Sequence, residues 1–277
     1  MNPLPERWHQ QRAAAPGAHA LVLVDTALQH ELGQKLSQRR GGALSLLPDL
    51  ESEAQALGVW LLEADEAHAH GIDGAARGVN WLLSRIAISR AHAHLQSWVV
   101  APLPDGTPRG YLRLADGRVL RTLLEVWSPA QRSAFSAPWQ AWCFANRDGE
   151  GVVLDPSEPN HMLADEAVSS ELTQLQYQQL LDASVPDQLL HGLKGRVTPH
   201  AATLASRESR HQMAASLIDY ARSIGYDEVE DQATLLAWAL RAGTEKCALL
   251  GRQMAVQQRV KGKALWSRLM EEGAAHG

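Results

Sequence analysis

The stretch "DGRVLRTLLEVWSPAQRSAFSAP", residues 116–138, contains the clearest local signals in this sequence. Asp116 is suited to cap a helix whose following apolar residues recur on one face at the helical spacing. A second helix is predicted to begin at once, because Ser128, Pro129 and Gln131 form a capping box with proline at the first helical position. The segment therefore predicts two short consecutive helices with a sharp corner between them.

Short apolar segments on the N-terminal side of this corner predict strands. They are rich in Val, Leu and Trp and are bounded by Gly, Asp or Pro, as strands are. These segments are residues 20–25, 58–63, 78–84, 97–103 and 109–115. Helices are predicted between them at 26–38 and 87–96. The alternation favours an α+β or α/β lobe with a small mixed sheet and flanking helices.

The C-terminal part of the chain shows almost only helical periodicity. Two of its helices are expected to end at Gly225 and Gly243, because glycine commonly follows the last residue of a helix. The prolines and polar residues of 154–162 mark a linker. The sequence therefore predicts two domains, a mixed α/β lobe over 1–155 and an all-helical lobe over 156–277.

Composition limits the classes of function. The chain of 277 residues is 45% hydrophobic and 21% charged, with a formal net charge of −5. It is long enough to bury a sizeable core, and its charge gives no global reason to bind nucleic acid or an anionic membrane. No apolar run approaches the roughly 20 residues that cross a bilayer. We expect a cytoplasmic globular protein with Cys143 and Cys247 buried as reduced thiols.

Two His-x-His pairs raise the question of a metal centre. They are His68 with His70 and His92 with His94. Residues two apart on a helix point about 200° away from each other, so such a pair chelates one ion only on a strand. The residues around His92 and His94 have helical spacing, and no cysteine lies near either pair. We therefore predict no metal site.

Sequence motifs of catalysis are also missing from the chain. It contains no G-x-S-x-G elbow, no phosphate loop ending in G-K-[ST], and no G-x-G-x-x-G after a strand. The stretch "RRGGAL" at 39–44 is the nearest approach to a phosphate cradle, but it lacks a following lysine. We expect no catalytic residues, no cofactor and no enzymatic activity. The alternative is a small-molecule-processing enzyme, such as a hydrolase, with an unrecognised active site.

Two interpretations of Arg113 stay open. In the predicted strand 109–115 it shares a face with Tyr111, close to the helix start at Asp116. The structural interpretation is an Arg–Asp pair or an Arg–carbonyl contact that fixes the strand to the helix. The functional interpretation is an anchor for a carboxylate or a helix end of a partner protein.

Residues 78–149, from "GVNWLLSRIAISRAHAHLQSWVV" to "WQAWCFANRDG", resemble the effector-adaptor proteins of the bacterial type VI secretion system, also called effector chaperones. The similarity lies in the order of elements: a Gly-led strand with Trp, a helix, a Val-rich strand, an aromatic–Arg strand and an Asp-led helix, followed by a Ser-Pro helix start. It covers about residues 18–150, with a looser similarity over 200–250. The family often has Asp-Pro where this chain has Asp116 followed by Gly117.

The resemblance implies a non-enzymatic adaptor that binds a toxic cargo effector and helps load it onto the valine–glycine repeat spike protein of the secretion needle. Such an adaptor needs an apolar groove with a few charged anchors. We expect this groove at the junction of the two lobes, because the helix corner is close in sequence to the linker. The candidate partner-binding residues are Tyr111, Arg113, Trp127 and Trp139. Neither nucleic-acid binding nor membrane insertion is expected.

Overall fold

The computed structural model describes residues 1–38, 42–106, 109–154, 168–197, 206–244, 247 and 261–275. The chain divides into two compact units, Met1–Leu180 and Leu181–Gly277. Apart from Leu154, the predicted linker at 154–162 lies outside the described residues. The division of the chain at residue 155 therefore stays a prediction.

All eight described strands lie in the first unit. They are β1 (His19–Asp25), β2 (Leu44–Ser45), β3 (Val59–Glu63), β4 (Val79–Ser84), β5 (Val100–Ala101), β6 (Gly110–Tyr111), β7 (Trp139–Ala145) and β8 (Gly151–Leu154). Six of them form one sheet in the order β2-β3-β1-β4-β7-β8, and β5 pairs with β6 in a separate two-stranded sheet. Every one of these pairings is antiparallel.

The described helices lie in both units. They are α1 (Glu6–Ala14), α2 (His30–Gln38), α3 (Ser52–Gln55), α4 (Ala64–Ala69), α5 (Ile88–Val99), α6 (Gly117–Val126), α7 (Pro129–Ser136), α8 (Gln174–Leu193), α9 (Arg207–Ser223), α10 (Val229–Ala242) and α11 (Lys263–Ala275). The boundary between the two units falls within α8. In the part of the chain that the structure describes, no helix is long and apolar enough to span a membrane.

The predicted α+β class is confirmed, and the sheet is antiparallel throughout rather than mixed. Strands β1, β3 and β4 begin and end within one residue of their predicted bounds. The first three residues of the predicted strand 97–103 belong to α5 instead, because Trp98 and Val99 are buried on the same face of that helix as Leu95. Only Val100 and Ala101 of that stretch pair as a strand.

Strand β7 is the longest strand that the sequence patterns did not predict. We expected the stretch after residue 138 to leave in a turn, but Trp139–Ala145 pairs with β4 on one side and with β8 on the other. Six of its seven residues are buried, so it lacks the alternation that marks a half-exposed strand. Its identity as a strand depends on the partners on both sides.

Helices cover both faces of the six-stranded sheet. Successive residues of β1 point to opposite faces, so Leu21 and Leu23 enter one core and Val22 and Val24 enter the other. The first core includes residues of α5, α6 and α7, and the second includes residues of α1, α2 and α4. The first unit is therefore a three-layer arrangement with the sheet in the middle.

The second unit is helical in all of its described elements, as predicted. Its core includes Leu217 and Ile218 of α9, Leu235 and Trp238 of α10, and Leu265 of α11. Helix α9 is followed by Gly225 and α10 by Gly243, and both glycines have positive φ angles, 89° and 95°. These are the two predicted helix ends.

Both cysteines are buried and free, as predicted. Cys143 lies in β7 of the first unit and Cys247 in the core of the second. Burial raises the pKa of each thiol to about 12. Both therefore stay protonated at neutral pH and are unreactive as nucleophiles.

Candidate functional site

The four candidate residues fall into two groups. Trp127 and Trp139 are buried in the core of the first unit. Tyr111 is exposed over 39% of its surface, and the Arg113 side chain over 34%. Only Tyr111 and Arg113 are therefore placed to touch a partner directly.

Trp127 and Trp139 belong to an aromatic cluster beneath the corner between α6 and α7. The ring centroid of Trp127 lies 4.9 Å from Phe135 and 5.0 Å from Trp98. Trp139 meets Trp142 edge to face at 5.4 Å. Such edge contacts add to the stabilisation that burial of the rings provides. These tryptophans stabilise the corner from inside.

The local signals of residues 116–138 are confirmed. Asp116 caps α6 by accepting from the backbone N–H of Arg118 at 3.1 Å. Ser128 and Gln131 form the complete capping box, with distances of 3.0 and 3.2 Å, and Pro129 is the first residue of α7. The corner is thus specified by residues within a few positions of each other.

Gly117, the first residue of α6, lies close to strand β7. A Cβ atom at this position would overlap the ring of Phe144 in β7. Glycine lets the start of α6 approach the sheet this closely. The closeness of the Phe144 ring therefore explains why this chain has glycine after Asp116, where the resembled family often has proline.

Arg113 is bound to a buried carboxylate. Its Nε and Nη2 both donate to Oδ2 of Asp25, at 2.9 and 2.7 Å, and Asp25 has no exposed surface. The other carboxylate oxygen, Oδ1, accepts from the backbone N–H of Ala27 at 3.0 Å. This contact fits the structural interpretation of Arg113, with Asp25 at the end of β1 as the partner rather than Asp116.

The charge on Asp25 is only partly stabilised. Burial raises the pKa of Asp25, and the hydrogen bond and positive charge of Arg113 offset this effect without cancelling it. The negative charge of the neighbouring Asp116 acts in the same direction as burial. Arg113 therefore favours the ionised form of Asp25 against the effect of burial.

Asp116 is held by two other arginines. Arg118 donates from Nε to Oδ1 at 2.9 Å and from Nη2 to Oδ2 at 2.6 Å, and Arg77 Nη2 lies 4.0 Å from Oδ2. Burial alone would raise the pKa of Asp116, but the bonds and charges of these arginines outweigh it and lower the pKa. We call Arg77, Arg113 and Arg118, gathered around Asp25 and Asp116, the arginine cluster.

A chain of hydrogen bonds links the arginine cluster to the aromatic cluster. The indole N–H of Trp142 donates to Oδ1 of Asn80 at 3.0 Å. The Nδ2 of Asn80 donates to the carbonyl of Ala115, the residue before Asp116, at 2.6 Å. Asn80 has no exposed surface, so both bonds are made inside the protein. The position of Asp116 is thereby tied to the packing of β4 and β7.

The histidine pairs make separate contacts. His92 and His94 lie on α5, as predicted, and their Nε2 atoms are 2.7 Å from the carbonyl of Ser45 and 2.9 Å from that of Phe135. In the described residues no group of three or more His, Cys, Asp and Glu side chains is arranged to hold a metal ion. The prediction of no metal site stays a prediction.

A polar depression of about 280 Å³ lies at the other end of the sheet, where β1 begins and β3 ends. It is lined by Arg12, Glu63 and Asp65 together with four alanines and one proline. This lining offers no pair of a Ser or Cys nucleophile with a histidine base. It gives no specific support to the hydrolase alternative.

The N-terminal part of the chain is similar to a known family. Residues 21–134 match the model of a domain of unknown function, DUF4123. The matched range begins in β1, ends in α7 and includes every member of the arginine cluster. No curated protein and no solved structure matches the chain.

Asp25, Arg77 and Arg118 were not among the residues predicted from the sequence. Asp25 lies 88 positions from Arg113, and no periodicity relates residues so far apart. The one available signal was its position as a charged residue at the end of the apolar run 20–24 in β1. A charge at such a position needs a partner when the strand end is buried.

Proposed function

We propose that this protein is a non-enzymatic adaptor that binds a cargo effector of a type VI secretion system and helps load it onto the valine–glycine repeat spike protein. The observation that carries the proposal is the match of residues 21–134 to DUF4123. The same residues contain the order of elements that resembles the effector-adaptor proteins. The adaptor works in the cytoplasm, before the needle is fired.

The chemistry of the site supports an adaptor rather than an enzyme. The buried carboxylates Asp25 and Asp116 are both engaged by arginines. Each pair fixes one end of an element, Asp25 at the end of β1 and Asp116 at the start of α6. The pairs therefore give the surface around Tyr111 and Arg113 a fixed shape, which lowers the entropy that binding costs.

The proposal predicts that genes for an effector and a spike protein lie beside this one, and it is tested with those two proteins. The tagged full-length protein, produced with either one in a host without a secretion system, should co-purify with it. Deleting the gene in the source bacterium should abolish release of that effector into the medium while other secreted effectors are unaffected. A folded protein that binds neither protein, together with unchanged effector release, would contradict the proposal.

A further inference from the structure

Two leucines that flank the short helix α3 face solvent. Leu50 is exposed over 41% of its surface and Leu57 over 52%. Single exposed leucines are ordinary, because a protein has too few polar atoms to cover its whole surface. Here two of them lie seven positions apart on either side of a four-residue helix. Their exposure therefore calls for a reason if the backbone beneath them is fixed.

Hydrogen bonds within the segment fix its backbone. Gln55, the last residue of α3, donates from Nε2 to the carbonyls of Pro48 and Leu50, at 2.8 Å each. These bonds join the loop before α3 to the end of the helix. Leu57 lies in the turn that follows, where its N–H donates to the carbonyl of Ala54 at 3.1 Å. Both leucines are thus held next to α3.

The end of the segment is also anchored to the rest of the first unit. The carbonyl of Gly58 accepts from the backbone N–H of Thr26 at 2.9 Å and from its hydroxyl at 2.8 Å. Helix α2 approaches so closely that a Cβ atom on Gly33 would overlap the carbonyl of Ala56. The two leucines therefore stay in solvent above a packed backbone. Apolar groups held in this way lose little freedom when a partner covers them.

Three carboxylates accompany the leucines. Asp49, Glu51 and Glu53 are all exposed. In the part of the chain that the structure describes, no hydrogen bond or ion pair engages these three side chains. Residues 47–58 contain no Lys or Arg that could neutralise them. We give the name α3 surface to Asp49, Leu50, Glu51, Glu53 and Leu57.

We propose that the α3 surface is the docking site for a basic amphipathic segment of a protein partner. Lys or Arg side chains of that segment bind the three carboxylates, and its apolar side chains pack on Leu50 and Leu57. The inference rests on the proposed function for the identity of the partner, which is the effector or the spike protein. The chemistry of the segment follows from the surface itself.

The charge of the α3 surface decides the class of its occupant. Nucleic acids and anionic membranes carry negative phosphates, which the carboxylates repel. A second copy of this chain would bring its own net charge of −5, so overall repulsion opposes self-association. A cationic protein segment is attracted by the carboxylates and can cover the leucines.

The first test measures binding of a fluorescently labelled peptide of interspersed Lys and Leu to the full-length protein. Two peptides of equal length are compared with it, one with Glu in place of Lys and one with Ser in place of Leu. The Lys–Leu peptide should bind most tightly, and its affinity should fall as the salt concentration rises. Equal binding of the Glu–Leu peptide or of the Lys–Ser peptide would overturn the proposal.

Leu57→Gln is the decisive variant, because Leu57 is more exposed than Leu50 and its substitution leaves the core intact. It should weaken binding of the Lys–Leu peptide about 3- to 10-fold, since about half of this side chain is left for a partner to bury. Glu53→Gln should weaken binding about 2- to 5-fold, as expected for an exposed ion pair.

The matched controls make the same changes at exposed positions elsewhere in the first unit. They are Leu175→Gln on α8, where the leucine is exposed over 68% of its surface, and Glu125→Gln on α6. Neither control should weaken binding. Losses equal to those of Leu57→Gln and Glu53→Gln would show unspecific attraction, and the inference would be wrong.

A triple variant, Leu50→Gln with Glu53→Gln and Leu57→Gln, separates this inference from the proposed function. If wild type binds the effector or the spike protein and the triple variant binds it equally well, the function stands and the docking site is wrong. If neither protein binds wild type but the Lys–Leu peptide does so through Leu57 and Glu53, the surface stands and its partner is another protein. Loss of effector or spike binding in the triple variant, with melting unchanged, supports both. A dimeric wild type that becomes monomeric in the triple variant would assign the surface to a second copy and overturn the choice of partner.

Discussion

At the scale of single residues, the partly exposed side chain of Arg113 stabilises a charge in the protein interior, that of Asp25. Its contact with Asp25 is partly open to solvent on the arginine side and closed on the aspartate side. Arg113→Ala leaves the buried carboxylate with only the backbone N–H of Ala27. We expect the free energy of unfolding to fall by about 1–3 kcal/mol, measured by urea denaturation. Arg90→Ala is the control and should leave it nearly unchanged.

Arg113→Lys keeps the positive charge but lacks the two-donor geometry, so its stability should lie between wild type and Arg113→Ala. Binding of the effector or the spike protein, measured at a temperature where each variant is folded, separates the two interpretations of this residue. A normal melting temperature for Arg113→Ala with much weaker binding would show that Arg113 acts only as an anchor for a partner.

The burial of His94 predicts that the stability of the protein depends on pH. Burial lowers its pKa, although its contact with the Phe135 carbonyl acts in the opposite direction. The unfolded chain therefore takes up a proton at His94 at a higher pH than the folded protein. The stabilisation by the neutral ring is fully present above about pH 6.5 and is lost as the pH falls through the lower pKa of the folded state. Unfolding by urea at neutral and mildly acidic pH should show a smaller pH dependence for His94→Gln than for wild type. An identical dependence would assign the effect to other groups.

At the scale of elements, the sequence was most informative where the signals are local. The caps of α6 and α7 were predictable because Asp116, Ser128 and Gln131 act on backbone groups within three positions. Strand β7 was not predictable, because it is buried between β4 and β8 and shows no alternation. The candidate site was found in part: Arg113 was identified from its local context, whereas Asp25 joins it only through the fold.

The capping box of α7 is joined to the start of α8. Gln176 accepts from the Thr173 N–H at 3.0 Å, and the Thr173 hydroxyl accepts from the Gln176 N–H at 3.2 Å, which is a second capping box. Gln176 Nε2 also donates to Gln131 Oε1 at 2.8 Å and to the Val126 carbonyl at 3.0 Å. The third-position glutamines of two helices thus bind each other.

Gln176→Ala removes the side-chain partner of two part-buried backbone groups, the Thr173 N–H and the Val126 carbonyl at the end of α6. We expect it to reduce the free energy of unfolding by about 1–3 kcal/mol in chemical denaturation. Gln179→Ala, at an exposed position of the same helix, should have no effect or a slightly stabilising one. Similar changes in the two variants would mean that the contacts of Gln176 with Gln131 and Val126 add nothing specific to stability.

At the scale of the whole molecule, the match to DUF4123 ends before the first unit does. The unit continues to Leu180, and the residues after 134 supply β7, β8 and the buried Leu172. A chain of residues 1–180 should therefore unfold cooperatively on heating, as followed by circular dichroism. A chain of residues 21–134 should not, because β4 loses its partner β7 and the aromatic cluster loses Trp139 and Trp142. Cooperative melting of the shorter chain would show that the matched region folds alone.

The edges of the six-stranded sheet bear on how this protein can associate with other chains. In the described part of the chain the two edge strands are also the shortest of that sheet: β2 has two residues and β8 has four. An edge this short offers few open backbone groups to a foreign strand. Copies of the protein therefore have little tendency to pair through the main chains of this sheet. If the proposed adaptor function holds, surface side chains rather than sheet edges select the partner, so that selection can change by substitution while the sheet stays the same.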